Sequence, residues 1–146
     1  MFRRIDETVS VAAQITPDDV PAIAAAGFTA IINNRPDGEE PGQPDGEDIR
    51  AAAEAAGLGY TAIPVTHAGF SHPQVIAMID ALGEAGGPVL AFCRSGTRSC
   101  NLWALAGAGL GEDAETLSAK AANAGYDLTN LRPLMDAVRP QPGGDR

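Results

Sequence analysis

The residues Cys93, Arg94, Ser95, Gly96, Thr97, Arg98 and Ser99 follow a short apolar run and precede an amphipathic one. A thiol at the end of a strand, under a loop that curls into a helix starting near Arg98, meets unpaired backbone N–H groups and the positive end of a helix dipole. Such surroundings favour the thiolate, the nucleophilic form of cysteine. Gly96 permits a left-handed turn that aims successive amides inwards. Arg98 can set a two-pronged guanidinium fork on an oxyanion, and Ser99 can hydrogen-bond sulfur or an anion. The spacing therefore describes an anion-binding loop of Arg94, Ser95, Gly96 and Thr97 with Cys93 as the nucleophile at its base. The competing reading, a buried structural cysteine in an ordinary turn, leaves the concentration of such groups in one turn without a purpose.

A loop of this kind needs a strand before it and a helix after it. "VLAF" before Cys93 is short and wholly apolar, as in a buried parallel strand, and Leu102, Trp103, Leu105 and Ala106 mark the following helix, with Trp103 as core. Upstream, residues 8–13 make a first strand, and Thr16-Pro17 with acids behind it starts a helix that Gly27 ends. "FTAIINN" is the next strand, stopped at Arg35-Pro36. The Pro- and Gly-rich stretch 35–46 is either a solvated connection or a functional loop. "EDIRAAAEAAG" is a helix closed by Gly57, and "LGYTAIPV" is a strand. Ser71 and Gln74 have capping-box spacing and open a helix with Val75, Ile76, Ile79 and Leu82 on one face. "GAGLGE" reads as a helix end and turn, two more helices are expected near 112–124 and 129–138, and residues 140–146 as a disordered tail after a single domain over 1–139.

Strands alternating with helices imply an α/β fold, a mainly parallel sheet flanked by helices with right-handed crossovers. In such sheets ligands sit at the carboxyl ends of the strands. Three strand ends then gather at one edge: Asn34 to Asp37, Thr66-His67, and Cys93.

The chain has 146 residues, ten basic and nineteen acidic, for a net charge of −9. That charge repels phosphate backbones and anionic lipid surfaces at long range, so neither a nucleic acid nor a membrane partner is expected. A cationic loop inside so acidic a chain stands out as a site for a small anionic substrate. Two cysteines, no cationic leader and no apolar run near the roughly 20 residues that span a bilayer indicate a cytoplasmic protein without a disulfide framework. Two histidines without clustered ligands call for no metal, and nothing calls for a cofactor.

"CRSGTRS" resembles the active loop of rhodaneses, the persulfide-forming sulfurtransferases, which implies Cys93 as sulfur acceptor and Arg94 and Arg98 as anion-binding residues. Residues 5–138 more closely resemble the phosphatase-like domain of the beta-lactamase hydrolase-like family, through "QITPDDV", "IINNRPDGEEPGQP", "YTAIPVT" and "GPVLAFCRSGTRS". That resemblance implies a protein-tyrosine-phosphatase-like fold, related to dual-specificity phosphatases, with the Cys-Arg loop between a central strand and a helix.

The chain departs from the phosphatase signature of His-Cys, five residues and Arg: Phe92 precedes Cys93, and four residues separate Cys93 from Arg98. A tetrahedral phosphoryl group needs amides around three oxygens and room for a leaving group, whereas a persulfide sulfur is one atom, so the shorter loop favours sulfur. Related phosphatases also take an aspartate acid from the loop after the "IPV" strand, and here that loop, "THAGFSH", holds no carboxylate. His67 and Asp37 are the candidate acids, Arg35 is an accessory candidate, and His72 reads as a solvated side chain.

The first expectation is therefore a sulfurtransferase that takes sulfur from an anionic sulfane donor onto Cys93 and passes it to a thiol acceptor. The second is a phosphatase acting on phosphate esters through a Cys93 phosphoenzyme, with Arg98 as clamp and Ser99 as helper in hydrolysis. The third is a domain that binds an anion or a partner without turnover. Cys100 is either a thiol that resolves a persulfide or, as its helical spacing suits, a small core residue.

Overall fold

Strand β5, Val89–Phe92, runs through the middle of a five-stranded sheet in the computed structural model, which describes residues 2–140. On one side it pairs in parallel with β2, Val9–Ala12, and on the other with β3, Ala30–Asn33. Strand β4, Gly59–Ala62, extends the parallel sheet beyond β3, and β1, Phe2–Arg4, adds an antiparallel edge to β2. The order is β1-β2-β5-β3-β4, and the register sets Ala12, Phe92, Asn33 and Ala62 level at the carboxyl ends.

The helices are α1 (Val20–Ala25), α2 (Gly46–Ala55), α3 (His72–Glu84), α4 (Thr97–Gly109), α5 (Ala114–Asn123) and α6 (Arg132–Val138). Short 3-10 turns, Pro17–Asp19 and Thr129–Leu131, lead into α1 and α6. Successive side chains of a strand point to opposite faces, so β5 serves two cores. Val89 and Ala91 pack with residues of α3 to α6, including Met78, Leu102, Leu117 and Met135. Leu90 and Phe92 pack with Val20 and Ile23 of α1 and Ile49 and Ala53 of α2. Phe92 is fully buried, a burial that stabilises by about 1.5–3 kcal/mol.

The α/β architecture, the parallel sheet and the Cys-Arg loop between a central strand and a helix match the expectation. The helix face differs: Val75 and Met78 are the buried positions of α3, Ile79 and Leu82 are partly buried, and Ile76 is 43% exposed. Ile76 lies one residue, about 100°, from Val75 around the helix and so falls off the buried stripe. β1 was not foreseen, because "FRR" is an exposed, charged edge without an apolar pattern. Helix α4 begins at Thr97, and Trp103 is in the core. Of the expected tail, 141–146 lies outside the described residues. Among the described residues, no helix is long and apolar enough to cross a membrane.

Candidate functional site

The carboxyl ends of the strands are tied together by their own backbones. Asn34 N–H donates to Phe92 O at 2.8 Å, Val65 N–H to Asn34 O at 3.0 Å, and Cys93 N–H to Ala12 O at 3.3 Å. Ser99 Oγ, buried on the first turn of α4, donates to Asn34 Oδ1 at 2.8 Å, and Asn34 Nδ2 donates to Ile63 O at 2.9 Å. Ser99 thus joins the helix to the ends of β3 and β4.

Cys93 is buried, and its Sγ accepts a hydrogen bond from Gly96 N–H at 3.1 Å. That aim rests on Gly96, which has φ 91° and precedes the first residue of α4. The conformation is one that L side chains rarely adopt, and a Cβ there would collide with the Tyr126 hydroxyl. Ser95 and Thr97 are exposed, and Ser95 Oγ donates to Thr97 Oγ1 at 3.0 Å. Arg94 points into solvent, its Nε 3.9 Å from Glu40 Oε1.

Arg98 is held by Glu39. Nη1 donates to Glu39 Oε2 at 2.7 Å and to Val65 O at 2.6 Å, and Nη2 donates to Glu39 Oε1 at 2.8 Å. The Glu39 hydrogen bond is the main reason that the guanidinium holds its proton more tightly than usual, with Cys93 adding to the effect. Glu39 is held in turn by Arg35, whose Nε donates to Oε1 at 2.8 Å. Arg35 is 3% exposed, and its other guanidinium nitrogens donate to Gln14 Oε1 at 3.1 Å and Glu40 Oε1 at 2.7 Å. Hydrogen bonds from Arg98, then from Arg35, push the Glu39 carboxyl down to about 2. Glu40 is lowered also, first by its hydrogen bond from Arg35.

Arg35, Glu39, Glu40, His67, Arg94 and Arg98 line a cavity of about 190 Å³ beside the loop. Of the two candidate acids, the structure brings His67 to this cavity and leaves Asp37 out. Asp37 Oδ1 accepts from Gly46 N–H at 2.8 Å, at the start of α2, and borders a second cavity with Asn33, Arg50 and Tyr60. Cys93 and Cys100 are both free. Cys100 is wholly buried, and burial first of all pushes its thiol up to about 12, which suits a core residue and not a resolving thiolate.

Sequence reasoning missed Glu39, Glu40, Gln14 and Tyr126, and placed Asn34 at the site edge without foreseeing its bond to Ser99. The adjacent acids in "RPDGEEP" were a usable signal, since two carboxylates close behind an arginine suit an ion-paired loop. No local pattern pointed to Tyr126.

Residues 1–110 match the family described as "Beta-lactamase hydrolase-like protein, phosphatase-like domain". A beta-lactamase hydrolase-like protein of Agrobacterium fabrum is 44% identical over 102 residues, 70% of this chain and 24% of that protein. The chain thus spans about a quarter of the length of this curated relative. The crystal structure of a candidate phosphatase from Neisseria meningitidis is 37% identical, with a TM-score of 0.81 over 94% of this chain and 97% of that one. Tk-PTP in its active form has a TM-score of 0.69 at 18% identity, over 94% of this chain and 95% of that one, and shows a shared fold.

Proposed function

We propose, from the premise that this chain belongs to the phosphatase-like domain family of beta-lactamase hydrolase-like proteins, that it is a cysteine-dependent sulfurtransferase. Cys93 is the nucleophile. Arg98, with Arg94 at the rim, binds the anionic donor, and the loop amides, Gly96 N–H first, hold the transferred atom.

The observation that carries this reading is the state of the carboxylates. Glu39 is pushed down to about 2, and hydrogen bonds from Arg98 and Arg35 keep it ionised at neutral pH. Asp37 is engaged at the start of α2. Glu39 is committed to its two arginines and Asp37 lies outside the cavity beside the loop, so neither is placed to give a proton to a departing alkoxide, which phosphate monoester cleavage needs. Sulfur transfer has no such need. The Cys93 thiolate attacks the outer sulfur of thiosulfate, the S–S bond of the donor breaks with its electron pair leaving on sulfite, and Cys93 carries a persulfide. An acceptor thiolate then attacks the terminal persulfide sulfur and restores the Cys93 thiolate. No proton transfer is required in either step.

The likeness to the Neisseria protein favours a second reading, phosphate ester hydrolysis through a Cys93 phosphoenzyme, with Arg98 as clamp and His67 as acid. Parallel assays of sulfite release from thiosulfate plus a thiol, and of phosphate release from an alkyl phosphate, separate the two. Sulfite release that Cys93→Ser abolishes, with no alkyl phosphate turnover, is the expected result. Alkyl phosphate turnover that is lost in both Cys93→Ser and His67→Asn would replace the first reading with the second. Anion binding that survives in Cys93→Ser, without either turnover, would leave a binding domain.

A further inference from the structure

The Ser95–Gly96 peptide unit makes two contacts, one to the thiol at the base of the loop and one to a residue outside it. Its N–H, on Gly96, donates to Cys93 Sγ at 3.1 Å. Its C=O, on Ser95, accepts from Tyr126 Oη at 3.3 Å. In a trans peptide the N–H and C=O point in opposite directions, so a group that holds the carbonyl outward holds the amide inward. Gly96 does not itself resist a turn of the unit, because it has no Cβ and reaches left-handed and right-handed backbone with similar ease. Turned over, it would present the Ser95 carbonyl oxygen to the sulfur in place of an N–H.

Tyr126 is itself fixed. Its N–H donates to Ala121 O at 2.9 Å, Arg3 Cζ lies 5.7 Å from the ring centroid, and Arg3 Nη1 donates to Ala124 O at 3.1 Å. The hydroxyl occupies the place where a Cβ of residue 96 would stand. Tyr126 follows α5, beyond the residues 1–110 that match the family.

We infer that Tyr126 is a positioning residue for the nucleophile: its hydroxyl latches the Ser95–Gly96 peptide with the amide turned to Cys93 and so sustains the thiolate. The inference rests on Cys93 being the reactive thiol and is independent of whether sulfur or a phosphoryl group is transferred. The groups that interact with Cys93 by charge are Arg98, Cys100 and Tyr126 itself; Arg94, Arg35, Glu39, Glu40 and His67 line the cavity beside the loop with Arg98, and Arg3 lies over the Tyr126 ring. Tyr126→Phe changes none of the others.

The test is the rate of iodoacetamide alkylation of Cys93 against pH, in the unmodified protein and in Tyr126→Phe, with Cys93→Ser as the blank. Loss of one net hydrogen bond's support slows alkylation by about threefold to tenfold at pH values below the midpoint. The whole profile moves to higher pH, and the rates converge at high pH. The thermal midpoint is read alongside. A profile that superimposes on that of the unmodified protein overturns the inference, and a lowered thermal midpoint with an unshifted profile also overturns it, by assigning Tyr126 to packing alone. Because alkylation uses no sulfur donor and no phosphate ester, failure here is distinct from failure of the proposed function.

Discussion

Arg98 has five N–H groups, and Glu39 and the Val65 carbonyl take those at the end of the fork. What remains for a ligand is the edge formed by Nε–H and the second Nη2–H, which suits two oxygens of one anion. Glu39→Gln removes the charge that fixes this edge, so KM for thiosulfate should rise about tenfold, the loss of roughly 1.4 kcal/mol of binding, with a smaller change in kcat. An equal fall in kcat and kcat/KM would contradict a binding role. Acid stability carries the same signature. The Glu39 carboxyl is lowered from 4.5 to about 2 in the folded protein, so its contribution is present above pH 4.5 and is lost as pH falls towards 2. The gap in urea midpoint between the unmodified protein and Glu39→Gln should therefore close across that interval. A gap that stays constant with pH would show that the ion pair is not its cause. The residue types of the loop were legible in the sequence, because a thiol, a glycine and two arginines in one turn have few other uses. The Glu39 pairing was not, since the partners are 59 positions apart and nothing in local spacing links them.

Helix α4 is entered through a position that only glycine fits well. Gly96 has φ 91°, and Gly96→Ala should cost about 1–3 kcal/mol of unfolding free energy from backbone strain, with the collision against Tyr126 added to it. Chemical denaturation measures this, and a stability unchanged by the substitution would refute the strain. Helix α2 offers the contrasting case. Asp37 accepts from Gly46 N–H, so Asp37→Ala should lose about 0.5–2 kcal/mol of stability while rates of sulfite release stay unchanged. A large loss of turnover in a stable variant would restore Asp37 to the mechanism. Most elements were readable from the sequence because their ends carry strong signals, such as Gly27 and Gly57 after helices and Ser71 before α3. β1 could not be read in this way. Its exposed "FRR" forms a strand because β2 offers it an edge, which is a property of the assembled sheet.

Across the whole molecule, β5 carries both cores and leads into Cys93, the proposed nucleophile. Val89 and Ala91 face one core and Leu90 and Phe92 the other, and Cys93 follows directly. Disruption of either core therefore moves the strand that the other needs, and the two should unfold together. Trp103, the single tryptophan, reports on the core beneath α4. Its fluorescence and the far-ultraviolet circular dichroism should give coincident denaturation curves, and separated curves would show that the cores are independent. The gathering of three strand ends at one edge was predictable from the α/β alternation, since parallel strands bring their carboxyl ends to one side. Which side chains would meet there was set by long-range packing. Sulfur carriage on Cys93 is tested most directly by the intact mass of the whole protein after incubation with thiosulfate and removal of excess reagent, beside Cys93→Ser treated in the same way. A Cys93 persulfide adds one sulfur atom to the unmodified protein, reversed by added thiol and absent from the variant. No gain on the unmodified protein, or an equal gain on both, would contradict it.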